Sequence, residues 1–456
     1  MNAKFQTLKK ESLNLIRLAI PILIAQISGS VIAVTDAYMS SLSGTMDLAA
    51  ISLGGAYWCP FFVFCVAFTL CLAPLVAHSI GAKSPDKIPV LFWNTFLLAG
   101  IIGLLSMLAV IFIPFLLNGE NIDPLLAHKT KNYCFWVGLG IFGTSLGTVI
   151  KNCVEGCSRS VPSMVIGFTM ITVNIPLNWL LIYGNLGFPA LGVEGCGIAT
   201  CISMWLTLIL FFIYSKRSRF LKARNINLYG DGFPVEKETI KKILFAGIPL
   251  AFGSVIEVIA MSVLGYAAAL LGPEYAAGHQ IVNCVCIFTY VLPLSIGAAV
   301  AIRVGQSLGE GSRVKVKNCI ISALILSGIL IYPFAALIFS FRQEISSAFT
   351  DNPMVCAIGS SLFTAILVYQ IFDPLFGVGS GIVRGFNDNK TVFVGNLCCF
   401  LCIAIPAGYA LGFSDIFGRN YGLLGMWLTL SGSYALLSII YWLRSFSLVG
   451  RMTVKS

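Results

Sequence analysis

Residues 243–271 read ILFAGIPLAFGSVIEVIAMSVLGYAAALL, an apolar run interrupted by one charged residue, Glu257. A helix needs about 20 such residues, at about 1.5 Å rise each, to cross the hydrocarbon core of a bilayer. The run therefore predicts a membrane span with a carboxylate near its middle. Eleven comparable runs occur at 18–42, 48–77, 88–117, 132–150, 162–183, 195–214, 276–302, 318–340, 354–383, 391–412 and 421–443. The composition agrees, since 57% of the 456 residues are hydrophobic and 11% are charged, against about a quarter charged in soluble domains. A soluble enzyme, a disordered chain, a coiled coil and a small disulfide scaffold are excluded. The first run is too long for a signal-peptide core and lacks a clear cleavage site, so it reads as an uncleaved helix. Most of the 15 cysteines lie in apolar runs (Cys65, Cys71, Cys284, Cys398, Cys399), where Cys behaves as a small hydrophobe. Cys153/Cys157 and Cys399/Cys402 lack the His-supported spacing of a zinc site.

Lys and Arg separate by side once the spans are drawn. Twenty-five of 29 fall in the termini and loops of one side, including the cluster from Lys216 to Lys242, whereas Lys129, Lys131, Arg342 and Arg419 fall on the other. Such a bias predicts a multi-pass membrane protein with both termini cytoplasmic. It also accounts for the net charge of +10 without a nucleic-acid partner. The longest polar stretch, 215–242, reads as a linker between lobes at 1–214 and 243–456.

Those lobes repeat. At an offset of 228, Ile20-Pro21 meets Ile248-Pro249, Tyr38 meets Tyr266, Gly44 meets Gly272, and Ser79 and Gly81 meet Ser307 and Gly309. The offset drifts to 229 and 230 further on, where Gly156 meets Gly385, Pro176 meets Pro406, and Gly192 and Gly195 meet Gly422 and Gly425. Matched prolines and glycines imply matched kinks and close contacts. Six spans per half is an even number, so the repeats run parallel. The predicted fold is an all-α integral membrane protein with twelve transmembrane helices, arranged as two pseudo-symmetric six-helix bundles around a central cavity, the plan of alternating-access transporters.

Sixteen of the 19 acids fall in loops or at span ends; Asp36, Glu257 and Asp373 fall inside spans. A carboxylate at the bilayer centre costs at least ~2.5–3.5 kcal/mol. No Lys or Arg lies inside any span as drawn, so these acids are expected to lack a buried basic partner and to be protonated, to bind a cation, or to face water. They also break the repeat, because Asp36 meets Leu264, Glu257 meets Gly29, and Asp373 falls opposite Gly143 or Thr144. Tyr369 lies one helical turn before Asp373, on the same face. Pro374 leaves a backbone carbonyl without its helical donor. Asn174 and Asn178 flank Pro176 at the same four-residue spacing, either as ligands or as ties between helices. Carboxylate, amide and phenol oxygens suit hard cations such as Na⁺, whereas a proton needs only one buried carboxylate.

At these residues the chain resembles the multidrug and toxic compound extrusion family, in its bacterial NorM-like branch. The resemblance spans essentially the whole chain. It rests on Ala33-Val34-Thr35-Asp36, the Asn174/Asn178 pair, Glu257, Ala277-Gly278-His279-Gln280 and the Tyr369/Asp373 pair. It implies secondary active export of cationic, amphipathic drugs and dyes by antiport with Na⁺ or H⁺, by a monomer among membrane lipids, with no cofactor besides the coupling ion. Carried over by position, one cation site would use Glu257, Asp373, Tyr369 and Tyr290, the two carboxylates acting as the metal-ion ligands. The other would use Asp36, Asn174, Asn178 and Thr200. Some members have Asp where this chain has Glu155. Asp36, Gln280 and Met261 would contact substrate.

A flippase of lipid-linked precursors shares the architecture and is the nearest alternative. It would need cavity positive charge for a pyrophosphate, and none is visible in the spans as drawn. A membrane-embedded enzyme would need a His cluster, a phosphate-binding loop or a nucleophile–base pair. None stands out around His78, His128 and His279, so no enzymatic activity is expected.

Overall fold

The computed structural model describes residues 2–116, 123–230, 232–414 and 421–452; Arg419 and Lys455, counted above among the loop charges, lie outside the described residues. Among the described residues there is no β-strand, and twelve helical stretches are long and apolar enough to cross a membrane. The helices are α1 (Asn2–Ser43), α2 (Thr45–Thr69), α3 (Leu72–Gly81), α4 (Lys87–Phe112), α5 (Pro124–Gly156), α6 (Val161–Tyr183), α7 (Val193–Arg217) and α8 (Arg219–Ala223). They continue with α9 (Lys237–Leu271), α10 (Pro273–Gly309), α11 (Arg313–Ser340), α12 (Arg342–Phe349), α13 (Pro353–Gly385), α14 (Asn389–Asn396), α15 (Ile405–Phe413) and α16 (Gly422–Arg451). A π-helical stretch, Leu397–Ala404, joins α14 to α15 into one span.

The chain folds as two compact units, Pro21–Ala251 and Met1–Ile20 with Phe252–Ser456. The divisions fall inside α1 and α9, at or close to the matched prolines Pro21 and Pro249, whose missing N–H breaks the helical ladder. The start of α9 packs into the first unit, where Ile243, Ala246 and Ala251 join Ala67, Phe68, Cys71 and Leu98 in one apolar cluster. The start of α1 packs into the second, where Arg303 bonds both Glu11 carboxylate oxygens at 2.8 Å.

The polar stretch 215–242 is no loose tether. Trp93 donates its indole N–H to Leu228 O at 2.8 Å. The Asn94 amide donates to Pro234 O at 2.8 Å and accepts from Glu236 N at 3.0 Å. Tyr229 bonds Ser215 at 2.6 Å and sets its ring edge-on to Phe92, Trp93 and Phe212.

The repeat read from the sequence is present in the backbone. A Cβ on Gly156 would lie 2.7 Å from Ala73 O and 2.8 Å from Val76 Cβ; a Cβ on Gly385 would lie 3.1 Å from Ala301 O and 2.7 Å from Val304 Cβ. These neighbours are themselves 228 residues apart. Ser158 and Asn387, 229 apart, both adopt positive φ, at 62° and 61°. Leu191 N bonds Leu181 O at 3.0 Å, and Tyr421 N bonds Leu411 O at 3.1 Å. In each unit the fourth span is the hub: α5 packs on α2, α4 and α7, and α13 on α10, α11 and α16. Small residues let these backbones approach, the means by which helices associate in lipid.

Candidate functional site

The first unit gathers Asp36 from α1, Asn174 and Asn178 from α6, and Thr200 from α7. The Asn178 amide N–H₂ donates to Asp36 Oδ1 at 2.5 Å and to Asn174 Oδ1 at 3.0 Å, and the Thr200 hydroxyl donates to Asp36 Oδ2 at 3.0 Å. Asn174 in turn donates to Ser203 Oγ at 3.5 Å. Both asparagines are fully buried, and Asp36 is 7% exposed. The two-asparagine spacing therefore ties α6 to α1 and α7, with the Asn178 amide N–H₂ turned to the carboxylate. Asn178 Oδ1 is buried without a hydrogen-bond partner, an acceptor left over in a cluster already rich in acceptors.

Glu155 lies outside this cluster. It accepts from Ser163 Oγ at 2.6 Å and lies 3.9 Å from the Lys151 ammonium. At the far end of α1, Asp47 is buried at the start of α2, bonded to Ser43 Oγ at 2.7 Å and paired with Lys129.

The second unit builds its cluster from four helices. Glu257 (α9) is partly buried and accepts a 2.8 Å hydrogen bond from the Tyr434 hydroxyl on α16. Tyr290 (α10) lies within electrostatic reach of Glu257 and Asp373. Tyr369 (α13) is 1% exposed, with its ring edge-on to Tyr434 at 4.7 Å. Asp373 is 1% exposed, and neither carboxylate oxygen has a hydrogen-bond partner. Such burial is costly for a lone carboxylate, so Asp373 asks for a cation or a proton. Ser438 donates to Phe372 O at 3.1 Å and the Trp442 indole to Leu375 O at 3.1 Å, so α16 satisfies backbone carbonyls on either side of the Pro374 break.

Three residues of these clusters escaped the sequence reading. Ser203 follows Thr200 by one turn on the same face, and that spacing was the available signal. Tyr434 belongs to a buried stripe on α16 formed by Trp427, Ser431, Tyr434, Ser438, Tyr441 and Ser445, whose three- and four-residue steps mark one helix face. The third requires a correction. The spans do hold a buried base: Arg384, placed just outside its span by the sequence reading, belongs to α13 and is 8% exposed. Side chains on a helix point towards its N-terminus, so the arginine folds back along α13, its Nε 3.4 Å from Ser380 O. There its field reaches Glu257 and Tyr290. Glu257 therefore has a basic neighbour, and through Glu257 the charge of Arg384 belongs to the cluster.

The residues assigned to substrate contact fall in different surroundings. Met261 sits one turn past Glu257, partly buried. Gln280 is exposed, its amide 3.7 Å from Cys284 Sγ, on a cavity of about 330 Å³ that Ala277, Ile281, Phe349, Thr350 and Val355 also line. No carboxylate lines that cavity.

Comparison with known proteins fits this architecture. The MatE family model matches twice, over residues 21–180 and 249–410, once in each half of the repeat. The chain is 32% identical over 420 residues to the multidrug resistance protein NorM of Photobacterium profundum, covering 92% of each. It is 33% identical over 421 residues to the multidrug resistance protein MdtK of Pectobacterium atrosepticum, covering 91% of each. Its fold matches an outward-facing multidrug resistance MATE family transporter of the MOP superfamily with a TM-score of 0.87 at 19% identity, covering 98% of each chain. It also matches a MOP superfamily transporter from Pyrococcus furiosus whose binding pocket, of reverse polarity, suggests a different function, with a TM-score of 0.87 at 19% identity over 97% of this chain and 96% of that one. The twelve-helix duplicated fold, its two carboxylate clusters and these relatives over nine tenths of the length converge on one assignment: the chain belongs to the MatE family.

Proposed function

We propose that this chain is a secondary active multidrug transporter that exports cationic, amphipathic compounds in exchange for inward Na⁺ or H⁺. The observation that carries the reading is Asp373, a fully buried carboxylate with two unpartnered oxygens, next to Glu257 and its Tyr434 hydroxyl. The ion is a substrate of this protein rather than a resident group. Its ligands in the second unit are Glu257, Asp373, Tyr369 and Tyr290, and in the first Asp36, Asn174, Asn178 and Thr200. An ion arriving from outside neutralises the acids, weakens their attraction for an organic cation and so favours its release. Reciprocity requires that drug binding weaken ion binding by the same factor. Carboxylate and phenol oxygens favour Na⁺, with protons as competitors. Charge asymmetry puts both termini in the cytoplasm; the bacterial relatives favour the inner membrane as its site, where it works as a monomer.

The test is dye efflux from oriented vesicles with Na⁺ and pH gradients imposed separately. Export driven by either gradient supports the reading, and export indifferent to both overturns it. A flippase of lipid-linked precursors is the second reading, favoured by one observation, the buried Arg384. That guanidinium is buried, with its Nε turned to Ser380 O and Glu257 within its electrostatic reach, which leaves it less available to a pyrophosphate.

A further inference from the structure

Where α10 crosses α13 the two backbones touch. A Cβ on Gly377 would lie 2.9 Å from Pro293 O, and one on Gly381 would lie 2.8 Å from Gly297 Cα. The Arg384 guanidinium is wedged at this crossing, with one terminal nitrogen 3.3 Å from where a Cβ of Gly297 would stand. Its Nε is held towards Ser380 O. Arg384 and Glu257 lie within electrostatic reach of each other, yet no ion pair closes between them among the described residues. The remaining titratable groups facing this cluster are Tyr290, Tyr369, Tyr434, Tyr441 and Cys286, all uncharged in their ordinary states near neutral pH.

Formal charge can then be counted. Glu257 and Asp373 as carboxylates, with Arg384 as guanidinium, leave one negative charge in the second unit's cluster. The first unit reaches the same value differently. Its cluster holds one carboxylate, Asp36, bonded to one neutral amide and a hydroxyl. At the repeat position of Arg384, 229 residues earlier, stands Glu155, which is engaged with Ser163 and Lys151 away from Asp36. The second acid and the buried arginine thus occur in the same unit, and neither has a counterpart in the other.

We propose that Arg384 is the resident counter-charge of the Glu257–Asp373 cluster, a positioning residue that sets the cluster at one negative charge so that it takes up one monovalent cation per cycle and lets it go. Without the guanidinium, two buried carboxylates would hold the first cation more tightly and call for a second. This rests on the cation-site reading above.

The test measures the affinity of purified, detergent-solubilised protein for a fluorescent organic cation, with Na⁺ titrated at fixed pH and pH titrated without Na⁺. Wild type is compared with Arg384→Met, Arg384→Lys and Glu257→Gln, each checked for monodispersity and thermal unfolding. Arg384→Met is expected to lower the midpoint for the responding ion about ten-fold, within the usual range of coupling between sites, and to steepen its dependence towards two ions. Arg384→Lys, which keeps the charge, is expected to match wild type. An Arg384→Met protein with wild-type midpoint and slope, beside an unresponsive Glu257→Gln, overturns the role of Arg384 and leaves the cation site standing. A Glu257→Gln protein that responds like wild type overturns the cation site and the proposal with it. Should Arg384→Met not fold, Arg384→Lys decides: a wild-type response supports the counter-charge, and a displaced midpoint overturns it.

Discussion

The hydroxyl of Tyr434 donates to Glu257 Oε1 over 2.8 Å, so a residue of the last span holds the carboxylate of the seventh. The tyrosine is fully buried, and its ring packs edge-on against Tyr369, Phe376 and Phe400 at 4.7–5.0 Å. Its orientation is therefore fixed by packing before any ion arrives. Tyr434→Phe keeps the ring and removes one donor to an acid. Stability is expected to fall by about 1–3 kcal/mol, and the ion response of dye binding to shift to higher concentration, because Glu257 loses its fixed orientation. Thermal unfolding and an ion titration of the same sample check both parts. An unchanged ion midpoint would reduce Tyr434 to a packing residue.

The glycines paired by the repeat make a second prediction. Gly156 and Gly385 each meet the backbone carbonyl and the β-branched side chain of a neighbouring helix, Ala73 and Val76 in one unit, Ala301 and Val304 in the other. Backbone cannot retreat as a side-chain tip can. Gly156→Ala and Gly385→Ala should each destabilise by about 1–3 kcal/mol through overpacking, and by similar amounts if the repeat is geometrically faithful. Unfolding temperatures of the two variants measure this. A tolerated alanine at one position alone would show that the units relax differently there.

The legibility of this chain follows from what a bilayer demands. The spans were readable because each must be continuously apolar, and the repeat because Pro21/Pro249 and Gly156/Gly385 act through backbone geometry that survives sequence divergence. Asp36, Glu257 and Asp373 were readable because a carboxylate in an apolar run is conspicuous. Tyr434 was not, since a tyrosine in an aromatic-rich span reads as packing until its hydroxyl is found aimed at an acid. Arg384 was missed for a different reason. Hydropathy places a residue by its Cα, at the end of a span, whereas this side chain runs back along α13 into the cluster. The docking of 215–242 was invisible as well, because it depends on Trp93 and Asn94 of another element meeting backbone atoms of a polar stretch.

That docking is itself testable. Asn94 is fully buried and satisfies two backbone groups of the polar stretch, Pro234 O and Glu236 N. Asn94→Ala leaves both without a partner, at about 1–3 kcal/mol. The expected outcome is faster limited proteolysis within 224–236, with the spans remaining protected. Tyr229 gives the same docking a pH dependence. Burial, opposed by the bond to Ser215, holds its phenol above the ordinary value of 10.0. A raised value means the neutral phenol is the form stabilised by docking. Docking is thus complete below about pH 10 and is lost as pH rises through the raised value. Proteolysis rates followed from pH 8 to 11 should rise only at the upper end, and a rise beginning near neutrality would contradict it.

The last prediction separates two carboxylates that sequence alone treats alike. Neither Asp373 oxygen has a hydrogen-bond partner and the residue is 1% exposed, so its ionised form lacks the directed donors that Asp36 has. Asp373→Asn removes that desolvation cost and should leave stability level or raise it, on the order of 1–3 kcal/mol. Asp36 is different, because Asn178 and Thr200 donate to its two oxygens at 2.5 and 3.0 Å. An asparagine there offers one acceptor where two donors converge. Thr200 must turn its hydroxyl to accept, and the charge-assisted character of both bonds is lost. Asp36→Asn should therefore be neutral to destabilising, by up to about 2 kcal/mol. Both variants should insert in the membrane and fail to export dye, each through the loss of one cluster's negative charge. The measurements are thermal unfolding of the purified variants and dye efflux in a pump-deficient host. If the two substitutions changed stability by the same amount and sign, the hydrogen bonds to Asp36 would carry no net energy. If both variants exported at wild-type rates, neither carboxylate would hold the coupling ion.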